Sequence, residues 1–334
     1  MNRFHSLAEL APDAIHELLR LAARLERAPE PQALAGRILG LLFFNPSLRT
    51  LASMQSAMAR LGGTSIVLAP GQGTWLLESR DGVVMDGVAA EHVREAIPVL
   101  AGYCDALGIR AFAGGRDLAA DLADTDFRKM AALARVPTLN LESAIDHPCQ
   151  ALADWKTLDE LNVPADGKLV LSWANHPKPL PLAVPAAVVQ MAALRGMELV
   201  VLRPDAYALP PEIMERAKAI AESTGARITE TNDQATAMAG AHSLYAKSWS
   251  SPKHYGDPHA EAELRNQNSS WTIDLDWFAG AKPDARFLHC LPVRRNVVVT
   301  DAVLDGPRSA VIQQAHNRQW VQMAVLHTLL GGAG

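Results

Sequence analysis

The amino-acid sequence predicts an α/β protein with two doubly wound parallel-sheet domains joined by interdomain helices. Apolar runs alternate with amphipathic segments along nearly the whole chain, and this repeated strand–helix order favours parallel sheets. Most of the apolar runs lack regular polar alternation, which suits strands that are covered on both faces. A length of 334 residues exceeds one ordinary core, so two domains are expected.

The predicted strands are short and mainly apolar. In chain order they are Arg37–Phe44, Thr64–Ala69, Ala106–Phe112, Val136–Leu141, Lys168–Trp173, Glu198–Leu202, Ala226–Thr231, Ser243–Ala246 and Ala285–Cys290. The segments between them have the spacing of amphipathic helices. The predicted helices are Ser47–Leu61, Glu91–Gly102, Asp117–Ala134, Pro148–Leu161, Leu182–Leu194, Pro211–Ser223, Asp233–Ala239 and His316–Leu330.

The order of these elements indicates a domain break near Asp146. The predicted domains are 1–146, with helix 316–330 packing back onto it, and 147–315. Two long segments without clear periodicity, 70–90 and 248–268, are either surface excursions or functional loops. Trp75, in the first of them, is either a core anchor or a contact to a ligand or neighbouring subunit.

Composition and charge exclude several classes of protein. A net charge of -5 and a pI near 6.1 argue against a general nucleic-acid binder. No segment has the roughly 20 apolar residues of a membrane span, and the first residues lack the apolar core of a signal peptide. Cys104, Cys149 and Cys290 form no CxxC pair, which fits a reducing compartment and no metal site. We therefore expect a cytoplasmic protein.

The strongest chemical signal is "NPSLRT", residues 45–50, where a strand meets a helix. Ser47 occupies a predicted N-cap, and the first helical turn offers unpaired N–H groups and a partial positive charge. The hydroxyls of Ser47 and Thr50, with the Arg49 guanidinium, predict an anion site suited to phosphate. The alternative is an ordinary serine cap beside an exposed arginine.

Two further motifs carry polar side chains, one at a helix start near the domain junction and one after a strand. "DHPCQALAD", residues 146–154, places His147 and Gln150 one turn apart at a helix start. "HCLPVRRN", residues 289–296, follows a strand and so lies at the carboxyl end of a sheet. The alternative for the first motif is that His147 is an ordinary loop residue beside a helix cap. The alternatives for the second are that Cys290 is a buried structural thiol and that Arg294 and Arg295 are a solvated pair.

These motifs occur in one order, and their combination resembles the aspartate/ornithine carbamoyltransferase family from residue 36 to residue 330. The resemblance implies an N-terminal carbamoyl phosphate domain, a C-terminal amino-acid domain and a homotrimer with sites shared between neighbouring subunits. The segments that are similar to the branch using N-acylated ornithine are "GTWLLESRDGVVMDG" (73–87), "WANHPKPLP" (173–181) and "YAKSW" (245–249).

Three positions bear on the acyl group. Acetyl-using enzymes of this branch have glutamate where this chain has Ala90, asparagine where it has Pro181 and lysine where it has Val298. Pro181 and Val298 resemble the succinyl-using enzyme, which has proline in place of Ala90. Because a glutamate would repel a succinyl carboxylate, we predict N-succinylornithine as the substrate and N-acetylornithine as the alternative.

The resemblance also implies roles for individual residues. The residues implied to bind carbamoyl phosphate are Ser47, Leu48, Arg49, Thr50, Arg110, His147, Gln150 and a neighbouring subunit's Trp75. Of these, Arg49, Arg110 and His147 are implied to be catalytic. Arg110 would bridge phosphate and carbonyl oxygen, His147 would donate to that oxygen, and Gln150 would bind the carbamoyl NH2. The residues implied for the amino-acid substrate are Ala90, Glu142, His176, Lys178, Lys247, Cys290, Leu291 and Arg294. Lys247 and Arg294 would bind carboxylates, and the carbonyls of Cys290 and Leu291 would orient the amine.

The implied reaction needs no metal and no cofactor, because a neutral amine attacks the carbonyl carbon and phosphate leaves. A dehydrogenase is one rival for a doubly wound fold, although "GQGTWL" stops short of GxGxxG. A non-catalytic paralogue is the other, because Leu51 stands where the family has a second arginine. We infer a supporting, structural role for that arginine.

Overall fold

The computed structural model describes residues 1–331, which fall into two compact units. Unit 1 consists of residues 1–113, 120–149 and the chain from 318 onward, and unit 2 of residues 114–119 and 150–317. Each unit contains a five-stranded sheet in which the paired strands are parallel. The predicted α/β class with two parallel-sheet domains is confirmed.

The sheet of unit 1 has the strand order β1-β7-β6-β2-β3. Its strands are β1 (Arg3–Phe4), β2 (Ile38–Phe43), β3 (Thr64–Leu68), β6 (Ala106–Arg110) and β7 (Thr138–Glu142), and β4 (Leu77–Glu78) pairs separately with β5 (Glu91–His92). The strands β6 and β7 are buried along their whole length, as bare apolar runs predict, whereas the edge strand β3 is largely open.

The helices of unit 1 connect these strands. They are α1 (Pro12–Arg27), α2 (Leu48–Arg60), α3 (Val93–Ala101), α5 (Thr125–Leu133), the end of α4 (Leu118–Leu122), the start of α6 (Pro148–Glu160) and the end of α12 (Val311–Leu330). The chain adds β3 on one side of β2 and β6 on the other. The carboxyl ends of β2 and β6 therefore form the topological switch point where such sheets bind ligands.

The sheet of unit 2 has the strand order β10-β9-β8-β11-β12. Its strands are β8 (Lys168–Trp173), β9 (Glu198–Leu202), β10 (Arg227–Thr231), β11 (Ser243–Lys247) and β12 (Arg286–Leu288), and its helices include α7 (Ala183–Arg195), α8 (Pro211–Thr224), α9 (Gln234–Met238), α10 (Pro258–Gln267) and α11 (Asp301–Leu304). The chain leaves β8 toward β9 on one side and returns with β11 on the other. The switch point of unit 2 thus lies at the carboxyl ends of β8 and β11.

Several predicted elements differ from the structure. The helix predicted over 117–134 is two helices, because Asp124 has a left-handed φ of 54° that interrupts it. The last helix begins at Val311 rather than His316. The helix α1, the helix α10 and the short strands β1, β4 and β5 were not predicted. In α10 the residues are mostly polar, and Asp257 caps it by accepting from the N–H groups of His259 and Ala260.

None of the helices within residues 1–331 combines the length and the apolar character needed to cross a membrane.

Candidate active site

The predicted phosphate motif forms the first turn of α2, directly after β2. Ser47 is the N-cap with extended backbone, and its Oγ accepts from the N–H of Thr50 at 3.3 Å. Leu48 is exposed, Arg49 is half-buried and Thr50 is fully buried. The predicted serine cap is therefore present, and the motif lies at the switch point of unit 1.

A buried arginine that was not predicted completes this turn. The Nη2 of Arg318, in the unit 1 part of α12, donates to the Thr50 hydroxyl at 2.7 Å. Burial lowers the pKa of Arg318 below its ordinary value, and the nearby cations Arg110 and Arg49 lower it further. Its Nε has no hydrogen-bond partner within the part of the chain that the structure describes. Three guanidinium groups thus gather at one helix N-terminus, an arrangement that an anion would stabilise.

The carboxyl end of β6 contributes the second part of the unit 1 site. Arg110 is buried at the end of the strand, where it pairs with Glu142, the last residue of β7. Its Nε donates to the carbonyl of Asn45 at 3.2 Å, and the Asn45 side chain accepts from the N–H of Phe112 at 2.8 Å. The guanidinium also lies over the Phe112 ring. Contacts from several elements therefore fix the plane of this guanidinium.

His147 joins the same cluster. Its Nε2 lies 3.5 Å from Oε2 of Glu142, and the side chain is buried. Glu142, which the resemblance implies for the amino-acid substrate, lies between Arg110 and His147 in unit 1. A single carboxylate thus contacts both groups that were predicted to act on the carbonyl oxygen.

The loop before His147 is held by buried acidic groups. Asp124 accepts from the Ser143 hydroxyl at 2.7 Å and from the N–H of Ala144 at 3.1 Å. Burial raises the pKa of Asp146 to about 7, and the negative charges of Asp124 and Glu9 add to this shift. The neighbouring Cys149 is also buried, and burial raises the pKa of its thiol to about 12, so this thiol is chemically inert.

Within unit 2, α6 presents the amide of Gln150. Its Nε2 donates to Oδ1 of Asp154 at 2.7 Å, one turn further along the helix. Because a carboxylate oxygen accepts this bond, the Gln150 amide has its NH2 toward Asp154 and its carbonyl directed elsewhere. That Oε1 is buried without a hydrogen-bond partner among the described residues. The amide is therefore oriented as an acceptor for a ligand N–H.

The switch point of unit 2 gathers positive charge. Lys247 is buried at the end of β11, and His176 follows β8. Burial lowers the pKa of His176, and the cations Lys247, Arg294 and Arg265 lower it further. Lys178 is exposed, and its backbone N–H donates to Nδ1 of His176 at 3.1 Å. This end of the sheet is suited to carboxylates.

The loop that follows β12 has an unusual backbone. Leu291 has a left-handed φ of 55°, and its N–H donates to Nδ1 of His289 at 2.8 Å. Such a conformation in a branched residue is uncommon and often marks functional sites. Arg295 is held by Asp301 and Asp305, whereas no ion pair of Arg294 is formed within residues 1–331. Both arginines are exposed, as the solvated-pair interpretation predicts, but only Arg295 is also held by aspartates.

The loop at 70–90 is anchored but presents apolar groups. The Nε1 of Trp75 donates to Oε2 of Glu91 at 2.8 Å, while 60% of the residue remains exposed. Ala90 is exposed and donates its N–H to the carbonyl of Leu76 at 3.2 Å. Trp75 is therefore no core anchor, which removes one of its two predicted interpretations. Val84 and Val88 of the same loop are also highly exposed.

Residues 1–331 contain no group of three His, Cys, Asp or Glu side chains that could hold a metal ion. What they offer instead is guanidinium groups at a helix start in unit 1, and a lysine, an arginine and an oriented amide in unit 2. Guanidinium and ammonium groups of this kind bind phosphates and carboxylates.

Two family domains match the chain. Residues 2–160 match the carbamoyl-P binding domain of aspartate/ornithine carbamoyltransferase, and residues 184–329 match its Asp/Orn binding domain. The N-succinylornithine carbamoyltransferase of Bacteroides thetaiotaomicron is 38% identical over 296 residues, 89% of this chain and 88% of the relative. The N-acetylornithine carbamoyltransferase of Xanthomonas campestris pv. campestris is 38% identical over 318 residues, 94% of this chain and 93% of the relative.

Solved structures agree with these relatives. Acetylornithine transcarbamylase complexed with acetylcitrulline has a TM-score of 0.94 and 35% identity, covering 98% of this chain and 99% of that chain. A glutamate-to-proline mutant of N-acetyl-L-ornithine transcarbamylase, complexed with carbamyl phosphate and N-succinyl-L-norvaline, has a TM-score of 0.94 and 35% identity, covering 98% of this chain and 100% of that chain. The chain therefore belongs to the aspartate/ornithine carbamoyltransferase family, as a carbamoyltransferase of its N-acylornithine branch.

Proposed function

We propose that this enzyme transfers the carbamoyl group of carbamoyl phosphate to the δ-amine of N-succinylornithine, giving N-succinylcitrulline and phosphate. The reaction would serve arginine biosynthesis in the cytoplasm. The second candidate substrate is N-acetylornithine. The observation that carries the choice of the succinyl group is Ala90, which leaves an exposed, uncharged position where the acetyl-using enzymes have a glutamate.

The first step is binding of the phosphate at the start of α2. The N–H groups of the first turn, the hydroxyls of Ser47 and Thr50 and the guanidinium of Arg49 are the proposed partners. The buried position of Arg318 beside Thr50 supports its inclusion in this set. Burial chiefly lowers the pKa of Arg318, and a dianion would offset the additional repulsion from Arg110 and Arg49.

The carbamoyl group would then be polarised from two sides. Arg110 and His147 donate to the carbonyl oxygen, on which negative charge develops as the tetrahedral intermediate forms. Glu142 holds both donors in place and can accept from the substrate's amide N–H. The buried Oε1 of Gln150 accepts from the carbamoyl NH2, a role supported by its orientation away from Asp154.

The amine would attack as the neutral base. The carbonyl groups of Cys290 and Leu291 accept from its N–H groups, and the left-handed backbone of Leu291 supports this display of carbonyls. The C–N bond forms, the C–O bond to phosphate breaks, and the departing phosphate takes the proton from nitrogen. Positioning and fixed dipoles supply the rate enhancement without a covalent intermediate.

The carboxylates of the substrate would bind at the carboxyl edge of the unit 2 sheet. Lys247 and Arg294 are the proposed partners, with His176 beside them and Lys178 toward the succinyl end. A succinyl group adds a second carboxylate to the substrate, so two or more cations suit it better than one. Arg294 forms no ion pair within residues 1–331, so its guanidinium is available to bind a substrate carboxylate.

The acyl preference follows from charge and space. The glutamate-to-proline mutant of the acetyl enzyme is complexed with N-succinyl-L-norvaline, which supports a role for that glutamate in excluding the larger acid. A carboxylate near a succinyl carboxylate costs about 1 to 3 kcal/mol in a partly exposed site. Val298 is buried in the apolar core of unit 2, so this chain also lacks the lysine of the acetyl enzymes there.

We further propose a homotrimer in which Trp75 reaches the site of a neighbouring subunit. The exposed indole, together with exposed Leu76, Val84, Met85 and Val88, gives the loop at 70–90 an apolar surface. The bond from Trp75 to Glu91 fixes the ring for such a contact.

Steady-state assays with succinyl-, acetyl- and free ornithine test the proposal. Carbamoyl phosphate is held at saturation and citrulline formation is measured. We expect the largest kcat/KM for N-succinylornithine, a smaller value for N-acetylornithine and essentially none for free ornithine. A larger kcat/KM for N-acetylornithine would establish the second candidate. No transfer to any of the three would contradict the proposed function.

A further inference from the structure

A chain of buried hydrogen bonds in unit 2 runs from α6 to the loop after β12. It begins at Gln150, whose Nε2 donates to Oδ1 of Asp154 at 2.7 Å. The same oxygen accepts from Nε2 of Gln314, in α12, also at 2.7 Å. The side chains of Gln150, Asp154 and Gln314 are essentially without solvent exposure. One carboxylate oxygen therefore receives two amides from different helices.

The chain of hydrogen bonds continues through Gln314 to the backbone. Because its NH2 faces Asp154, its carbonyl Oε1 is free to accept, and it does so from the N–H of His289 at 2.9 Å. The Nδ1 of His289 in turn accepts from the N–H of Leu291 at 2.8 Å. The two residues joined at its ends, Gln150 and Leu291, are the proposed partners of the carbamoyl NH2 and of the attacking amine.

We infer that Asp154 and Gln314 are positioning residues for carbamoyl transfer. A carboxylate can only accept, so Asp154 fixes the orientation of both amides at once. With the Gln150 amide reversed, an N–H would meet the carbamoyl NH2 and the bond would be lost. With Gln314 removed, the N–H of His289 would lose its Gln314 acceptor and the Leu291 carbonyl would lose its support. This inference rests on the proposed function.

The same helix provides a matched control. Gln322, two turns further along α12, is also fully buried, but neither Nε2 nor Oε1 has a hydrogen-bond partner among residues 1–331. Methionine has nearly the shape of glutamine and no amide. Gln314→Met therefore removes the connecting hydrogen bonds, and Gln322→Met makes the same chemical change in a buried glutamine outside the chain of bonds.

The test compares the two variants in the full-length enzyme. Gln314→Met should lower kcat about tenfold or more and raise the KM for carbamoyl phosphate, since it affects the carbamoyl group and the amine. The inhibition constant of inorganic phosphate should change by less than about twofold, because the proposed phosphate groups belong to unit 1. Gln322→Met should retain wild-type kinetics.

A second variant keeps the inference testable if Gln314→Met does not fold. Gln314→Glu keeps the acceptor for His289 but sets a carboxylate against Asp154, and two such groups can share one proton. The kcat of this variant, divided by that of wild type, should rise as the pH falls from about 8 to about 6. Tyr245 faces both Asp154 and residue 314, but burial raises its pKa well above the ordinary value, so its hydroxyl stays protonated over this pH range.

Two results would overturn the inference. The first is a folded Gln314→Met enzyme with the same kinetics as Gln322→Met. If Gln314→Met does not fold, the corresponding result is a kcat ratio of Gln314→Glu to wild type that does not change with pH. The other is an equal loss of affinity for carbamoyl phosphate and for inorganic phosphate, which indicates general damage to the protein. A wild-type chain without transfer activity would instead contradict the proposed function.

Discussion

The guanidinium of Arg318 donates to the hydroxyl of Thr50 across 268 residues of sequence, at 2.7 Å. This contact places a third arginine at the start of α2, beside Arg49 and Arg110. The motif that begins the helix has Leu51 where the family's second arginine would stand. A cation near this turn is therefore supplied from a distant helix, and Leu51 gives no reason to expect a non-catalytic protein.

Replacing this arginine should weaken phosphate binding without unfolding the protein. Arg318→Met removes a buried charge that two other cations repel, so the melting temperature without ligand should not fall. Each charge-assisted hydrogen bond lost costs about 1.5 to 3 kcal/mol, so kcat/KM for carbamoyl phosphate should fall roughly 10- to 150-fold. Thermal shifts with inorganic phosphate provide the direct check: wild type should be stabilised and the variant much less. Equal stabilisation of both would remove Arg318 from the site.

Mixing two inactive variants tests the shared site. Arg110→Ala should abolish turnover while the protein stays folded, and Trp75→Ala should do so if the neighbouring site needs the indole. When the two are mixed and allowed to exchange subunits, about one quarter of the sites would combine an intact Arg110 with a neighbour's intact Trp75.

Recovered activity after mixing would therefore be close to one quarter of wild type. Arg216→Ala, on the exposed face of α8, serves as the single-variant control and should retain activity. If the mixture stays as inactive as its components, Trp75 does not act across subunits. An active Arg110→Ala would remove that residue from the mechanism.

The acyl preference should respond to one substitution. Ala90→Glu places a carboxylate in the loop where the acetyl enzymes have theirs, at a cost of about 1 to 3 kcal/mol for a succinyl substrate. The ratio of kcat/KM for succinyl- over acetylornithine should fall by about 5- to 150-fold. Ala90→Gln, of similar size and without charge, separates repulsion from crowding. An unchanged ratio in Ala90→Glu would contradict the charge-based explanation.

Stability should depend on pH through the loop that carries His147. The pKa of Asp146 is about 7 when the protein is folded and near its ordinary value of 3.8 when it is unfolded, so the folded state binds the extra proton between these values. Its contribution to stability therefore falls as pH rises from about 4 to about 7, by at most about 4 kcal/mol. Asp146→Asn should remove this loss.

Thermal unfolding at two pH values measures the effect. The Asp146→Asn protein should be more stable than wild type at pH 8 by about 2 to 4 kcal/mol, and similar to it at pH 4. As a control, Asp126→Asn changes an exposed aspartate two residues after Asp124. Its stability should differ from that of wild type by the same amount at both pH values. A constant difference between wild type and Asp146→Asn across this range would mean that the folded carboxyl is not held neutral.

Much of the fold could be predicted because buried strands are local apolar runs. The bounds of β8 and β9 agree with prediction, and Ser47 caps α2 as its sequence indicated. The helix α1 was recoverable too, since Ile15, Leu18, Ala22 and Leu25 are buried at helical spacing. The break at Asp124 was not: aspartate favours the left-handed region more than most residues, but the same segment also contains Asp117, Asp121 and Asp126.

The site was less accessible to sequence reasoning where its contacts are long-range. The family resemblance indicated Arg110, and a motif at a helix start indicated His147, but the pairing of Arg110 with Glu142 depends on β6 lying beside β7. Arg318 left one signal, a charged residue within a helix whose other neighbours are largely buried. Asp154 and Gln314 lie 160 residues apart, and only folding joins them.

Because unit 1 is discontinuous in sequence, its parts can come together only in a certain order during translation. Its sheet and the turn at Ser47–Thr50 are translated early, but the part of unit 1 that begins at residue 318 follows the whole of unit 2. A nascent chain can therefore form the first sheet on the ribosome long before Thr50 meets Arg318. Under the proposed function, the full set of phosphate-binding groups would therefore assemble only after both units have been made.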